Sequence, residues 1–123
     1  MHVRVVDASA LGALVFAEPE ADAMAEAMSG AKLIAPTLLP YEMASICLKK
    51  TKQTPQQATL LKTALQMADA LAIETFPVEM AAVIDLAKQT NLTTYDASYL
   101  WLARVTNAEL VTLDKRLLEV TSD

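Results

Sequence analysis

Four short runs of β-branched and apolar residues constrain this chain more than any other feature. They are HVRVV (2–6), LIA (33–35), IETF (73–76) and ELVTL (109–113). Each is too short for a helix and reads as a buried strand. The stretches between them carry helical periodicity and are long enough for two helices apiece. Strands separated by helices cannot close as hairpins; they need crossovers, and crossovers make parallel neighbours. The expected order is β-α-α-β-α-α-β-α-α-β-α, an α/β fold with a mainly parallel central sheet flanked by helices.

Local signals place the helices. Ser9 is positioned to cap a short helix through Phe16. Pro19 stands in first-turn position for a helix reaching Met28, and Gly30 follows where a C-terminal cap belongs. Thr37 is expected to cap the next helix, with Leu39, Met43, Ile46 and Cys47 as its apolar stripe. Thr54-Pro55-Gln56-Gln57 combines a cap, a proline and a capping-box glutamine, ahead of Leu61, Ala64, Leu65, Ala68 and Leu71 at helical spacing. Pro77 is expected to open a helix with Met80, Val83, Ile84 and Ala87 on one face. Thr93 or Thr94 opens another, running to about Thr106, and Asp114 to Val120 forms a short last helix. No composition break or internal repeat divides residues 1–123, so a single domain is expected.

Scarce residues exclude whole classes of chemistry. The only histidine is His2 and the only cysteine is Cys47, which removes Ser-His-Asp and Cys-His catalysis and thiolate metal cages. Two distant glycines, Gly12 and Gly30, cannot build a phosphate-binding glycine loop. The longest apolar run, from Ala10 to Ala17, is stopped by Glu18, far short of the ~20 residues a membrane span needs. With no targeting segment read at the N-terminus, the expected compartment is the cytoplasm. A net charge of −5 rules out a generally basic surface while leaving room for a local basic patch. Any enzyme built from this chain must use carboxylates, hydroxyls, lysines or arginines.

Ligands of open parallel sheets bind outside the carboxyl ends of the strands. Asp7 follows the first run and Asp114 the last; Glu42 lies early in the helix after the second, and Asp96 opens the helix before the fourth. Converging there, four acids would repel one another, and a hard divalent cation such as Mg²⁺ or Mn²⁺ would resolve that conflict. Each acid also has a plain structural reading. Asp7 can end a strand, Asp96 can complete a capping box with Thr93, Asp114 can cap the last helix, and Glu42 can be an ordinary first-turn acid. Only their joint placement favours a site.

The sequences around the acids are VVDASAL (5–11), LLPYEMASICLKK (38–50), TTYDASYLWLA (93–103) and LVTLDKRLLEV (110–120). Together, in this order, they resemble the four signature segments of PIN-domain ribonucleases, and most closely the VapC-type toxins of toxin–antitoxin pairs. The resemblance covers nearly the whole chain. It implies a PIN-like three-layer fold and an endoribonuclease in which Asp7, Glu42, Asp96 and Asp114 bind Mg²⁺ or Mn²⁺ and direct water at an RNA phosphodiester. It also implies supporting hydroxyls at Ser9 and Thr112, a homodimer, and an antitoxin partner whose C-terminal segment covers the site. Lys49, Lys50, Lys52, Lys115 and Arg116 are the candidates for RNA contact. Ser45 stands where such segments often hold asparagine. A non-catalytic PIN-like binding module and a housekeeping nuclease without antitoxin are the alternatives. Ala8 and Ser9 after Asp7 argue against a phosphoacceptor receiver and an aspartyl phosphatase.

Overall fold

A computed structural model describes residues 2–121. Its elements come in the expected order: β1 (His2–Val6), α1 (Ala8–Val15), α2 (Ala21–Met28), β2 (Ala31–Pro36), α3 (Leu39–Gln53), α4 (Ala58–Met67), β3 (Glu74–Phe76), α5 (Met80–Thr90), α6 (Thr94–Thr106), β4 (Glu109–Val111) and α7 (Lys115–Thr121). Single 3₁₀ turns at Pro55–Gln57 and Ala68–Leu71 bracket α4.

All strand pairs are parallel, in the order β3-β2-β1-β4. Val5 lies opposite Ile34 of β2, and Val6 lies opposite Val111 of β4. The chain therefore moves outward from β1 through β2 to β3, then returns to the other side of β1. That reversal creates a switch point between β1 and β4, where such sheets leave a crevice at their carboxyl ends. Neighbouring strand residues point to opposite faces, yet Val5 and Val6 are both fully buried, so β1 is covered on both sides. α6 packs against β1, β2 and β4 and carries α5, while α1 packs against α2, α3 and α4. Trp101 touches both the sheet core and a second cluster of Val83, Leu86, Leu100 and Leu117. No described helix is long and apolar enough to cross a membrane.

Several local expectations fail for identifiable reasons. Asp7, not Ser9, caps α1: its carboxylate accepts the Ala10 N–H at 3.0 Å, and the helix already runs at Ala8. α2 begins at Ala21, so Pro19 precedes it. Thr37 does not cap α3, because β2 continues through Pro36 and the Thr37 N–H donates to the Phe76 carbonyl at 3.0 Å. The Thr54 hydroxyl turns back to the Lys50 carbonyl at 3.0 Å, so no capping box forms there. None of the α4 stripe is fully buried. α5 starts at Met80, not at Pro77, and it buries Val83, Leu86 and Ala87 while leaving Met80 and Ile84 exposed. The expected and observed faces share Val83 and Ala87, and packing against α6 selects between them. β4 stops at Val111, two residues earlier than expected. Gly30 does take a left-handed conformation beyond the end of α2, with φ 71°. Asn91 and Asn107, also left-handed, end α5 and α6.

The rotated face of α5 is testable. Leu86→Ala should destabilise the protein by about 2–5 kcal/mol, the range for an emptied core position. Ile84→Ala, on the exposed face, should stay within about 0.5 kcal/mol. Urea denaturation of the two variants beside the native chain measures both.

Candidate functional site

The pairing of Val6 with Val111 makes Asp7 and Thr112 lateral neighbours just past the ends of their strands. The Asp7 N–H donates to the Val111 carbonyl at 3.2 Å. The Asp7 carboxylate is almost fully buried and accepts three hydrogen bonds. Oδ1 takes the Ser9 hydroxyl at 2.7 Å and the Ala10 N–H at 3.0 Å, and Oδ2 takes the Thr112 hydroxyl. A hydroxyl has one proton, so both hydroxyls spend theirs on Asp7 and act elsewhere as acceptors. Ser9 Oγ accepts the Leu113 N–H at 2.9 Å, and Thr112 Oγ1 accepts the Asp114 N–H at 3.0 Å. One carboxylate and two hydroxyls thus join the start of α1 to the loop that delivers Asp114.

Each of the other acids also stands at a helix N-terminus. Asp114 Oδ1 accepts the Leu117 N–H at 3.0 Å and caps α7. Asp96 lies in the first turn of α6, where its N–H donates to the Thr93 hydroxyl at 3.1 Å. Glu42 lies in the first turn of α3. Asp7 and Asp114 cap α1 and α7, Glu42 and Asp96 lie in helical first turns, and the positive helix ends partly offset their charge.

That offset is incomplete. Burial, foremost, pushes the Asp7 carboxyl above the usual carboxylate range; its hydrogen bonds from Thr112, Ala10 and Ser9 oppose this, and the charge of Asp114 adds to it. Glu42 is raised by burial and by the charges of Asp96 and Asp7, against a hydrogen bond from Tyr99. Asp96 is raised by burial, then by Asp114 and Asp7, with Thr93 and Arg116 pulling it back. The charges of Asp7, Asp96 and Asp114 thus each reach at least one other of these acids. Among the described residues, however, no three of them close into a ready ligand cage.

The basic candidates divide. The charge of Arg116 reaches a site acid, Asp96. Lys50 is engaged elsewhere, paired with Glu18 and lying 5.6 Å from the centre of the Phe16 ring. Lys49, Lys52 and Lys115 are exposed. Lys49 lies two turns beyond Glu42, about 10 Å along the helix axis.

One supporting residue was legible only as packing. Tyr99 is buried, and its hydroxyl donates to Glu42 Oε1 at 2.6 Å. Burial and the neighbouring Glu42 raise the Tyr99 pKa further, which keeps it a donor. Its sequence signal is its place three residues after Asp96 on the same helix face, together with the need of a buried phenol for a partner.

The PIN domain family model matches residues 4–122. Ribonuclease VapC3 of Pyrobaculum aerophilum is 30% identical over 120 residues, spanning 94% of this chain and 92% of that protein. The crystal structure of PAE2754 from Pyrobaculum aerophilum superposes with a TM-score of 0.79 at 27% identity, covering 96% of this chain and 84% of that one.

The raised acids predict an unusual pH response. Asp7, Glu42 and Asp96 bind protons more tightly in the folded state than in the unfolded chain. Stability therefore falls as pH rises from the unfolded carboxyl values, near 3.8 for Asp, through the raised folded values. In chelator the protein should melt higher near about pH 5 than near about pH 7.5, and Asp7→Asn should shrink that difference. Thermal melts of both proteins across this range test it.

Proposed function

The chain belongs to the PIN-domain family, and on that premise we propose that it is a Mg²⁺- or Mn²⁺-dependent endoribonuclease, the toxin of a toxin–antitoxin pair. One observation carries the reading: at the switch point of a parallel sheet, burial raises the proton affinity of Asp7, Glu42 and Asp96, and charges of Asp7, Asp96 and Asp114 add to it from separate elements. The donor set fits a hard divalent cation, since every candidate ligand is a carboxylate oxygen and neither His2 nor Cys47 belongs to the crevice. Asp7, Glu42, Asp96 and Asp114 would hold it. When bound, such a cation lowers the pKa of water and stabilises charge on phosphoryl oxygens.

The residues then divide the work. Ser9 and Thr112 fix both oxygens of Asp7, so its carboxylate meets the cation already oriented. Tyr99 does the same for Glu42. Asp96 or Asp114 orients the attacking water. Arg116, beside Asp96, meets the phosphate charge of the substrate, with Lys49, Lys50, Lys52 and Lys115 as further RNA contacts. The similarity to Ribonuclease VapC3 supports RNA as substrate and a protein antitoxin as partner. Exposed Leu60 and Met67 on α4, a helix that buries nothing fully, support a homodimer face. The reading places one domain, residues 1–123, in the cytoplasm.

The test uses purified protein, total RNA and Mn²⁺. Cleavage should stop in chelator and rise with pH as the raised carboxyls ionise. Asp96→Ala should lower the rate by roughly 100-fold or more, since it removes a cation ligand. Expressed without a partner, the native chain should arrest growth and Asp96→Ala should not. Equal cleavage by both proteins would overturn the site. Cleavage in vitro without growth arrest would overturn only the toxin reading.

A further inference from the structure

The chain has six aromatic residues, and their placement is uneven. Tyr99 is buried, and Phe16, Phe76 and Trp101 are half-buried in packing. Only Tyr41 and Tyr95 are exposed, at 78% and 62%. Both line a single open groove of about 450 Å³ whose other walls include Ala8, Leu38, Ile46 and the site acid Glu42. Tyr41 is the residue before Glu42, and Tyr95 is the residue before Asp96. Neighbouring Cα atoms lie 3.80 Å apart, so each ring is anchored beside a carboxylate of the site. Neither tyrosine side chain has a hydrogen bond, ion pair or ring contact among the described residues. Packing therefore does not account for them.

We infer that Tyr41 and Tyr95 form a stacking platform for an unpaired base next to the scissile phosphate. The inference rests on the nuclease reading and goes beyond it. Aromatic faces accept any base, because every base presents a π-face, and stacking requires a base that is free of a duplex. The groove suits this occupant because it is continuous with the acid crevice through Glu42. A strand whose phosphate lies at the acids has its adjoining base at the two rings. The free hydroxyls stay in water at the rim while the ring faces serve the base. Arg116, near Asp96, supplies backbone attraction without base preference.

The test separates base from backbone. Labelled oligoadenylate and an abasic ribose-phosphate strand of equal length carry the same charge, and only the first can stack. Binding is read by fluorescence anisotropy with Ca²⁺ replacing Mn²⁺, with strand integrity checked on a gel. The native protein should bind the base-bearing strand roughly 5- to 100-fold more tightly. Tyr41→Leu and Tyr95→Leu should each lose most of that preference and leave abasic binding unchanged. Tyr→Phe at either position should keep it. Both positions are exposed in helical first turns and leucine is a good helix former, so unchanged melting is expected and confirms folding. Leucine variants that bind oligoadenylate like the native protein would overturn the platform and leave the groove to a protein segment. Equal native affinity for both strands, alongside Mn²⁺-dependent RNA cleavage, would overturn this inference alone. Absence of both RNA binding and cleavage would overturn the nuclease reading with it.

Discussion

The buried carboxylate of Asp7 is the interaction on which the rest of the site depends. Burying a charge is costly unless hydrogen bonds compensate, and Ser9, Ala10 and Thr112 supply three. Those bonds also set positions. Ser9 and Thr112 give their protons to Asp7 and so must accept from the Leu113 and Asp114 N–H groups. The loop after β4 is thereby tied to the start of α1, and Asp114 is brought to the same side of the sheet as Asp7. The compensation is partial, since burial still raises the proton affinity of Asp7. The fold therefore holds an electrostatic conflict at its switch point, of the kind a divalent cation relieves.

The same conflict bears on the charge of the chain. A net charge of −5 sits uneasily with an RNA-processing role. Four of the negative charges, however, belong to the site acids themselves. A bound cation would offset part of them where the substrate phosphate must approach. Attraction for the backbone then needs only a few side chains, and the charge of Arg116 already acts on Asp96.

Much of this was legible in the sequence because it rests on order. Strand runs followed by acids fix the carboxyl-end placement of Asp7 and Asp114 whatever the exact helix bounds. The less legible parts depend on which of two local choices tertiary packing rewards. Asp7 and Ser9 can each cap a helix, and the pull of the Ala10 N–H decides for Asp7. Two overlapping apolar faces exist on α5, and packing against α6 buries Leu86 instead of Ile84. Thr37 stays with the sheet because β3 offers a carbonyl. Tyr99 reads as core from its apolar neighbours, and only the structure brings Glu42, 57 positions away in sequence, to its hydroxyl. Tyr41 and Tyr95 carry no periodic signal at all, because both are left uncovered.

The central claim is that the four carboxylates form a single site for one kind of cation. Anomalous diffraction from a crystal soaked in Mn²⁺ tests it most directly. A manganese peak is expected within bonding distance of the Asp7 carboxylate and of at least one of Glu42, Asp96 and Asp114, with the Ser9 and Thr112 hydrogen bonds to Asp7 intact. A crevice without a peak at saturating Mn²⁺, or a peak held only by acids outside these four, would contradict it.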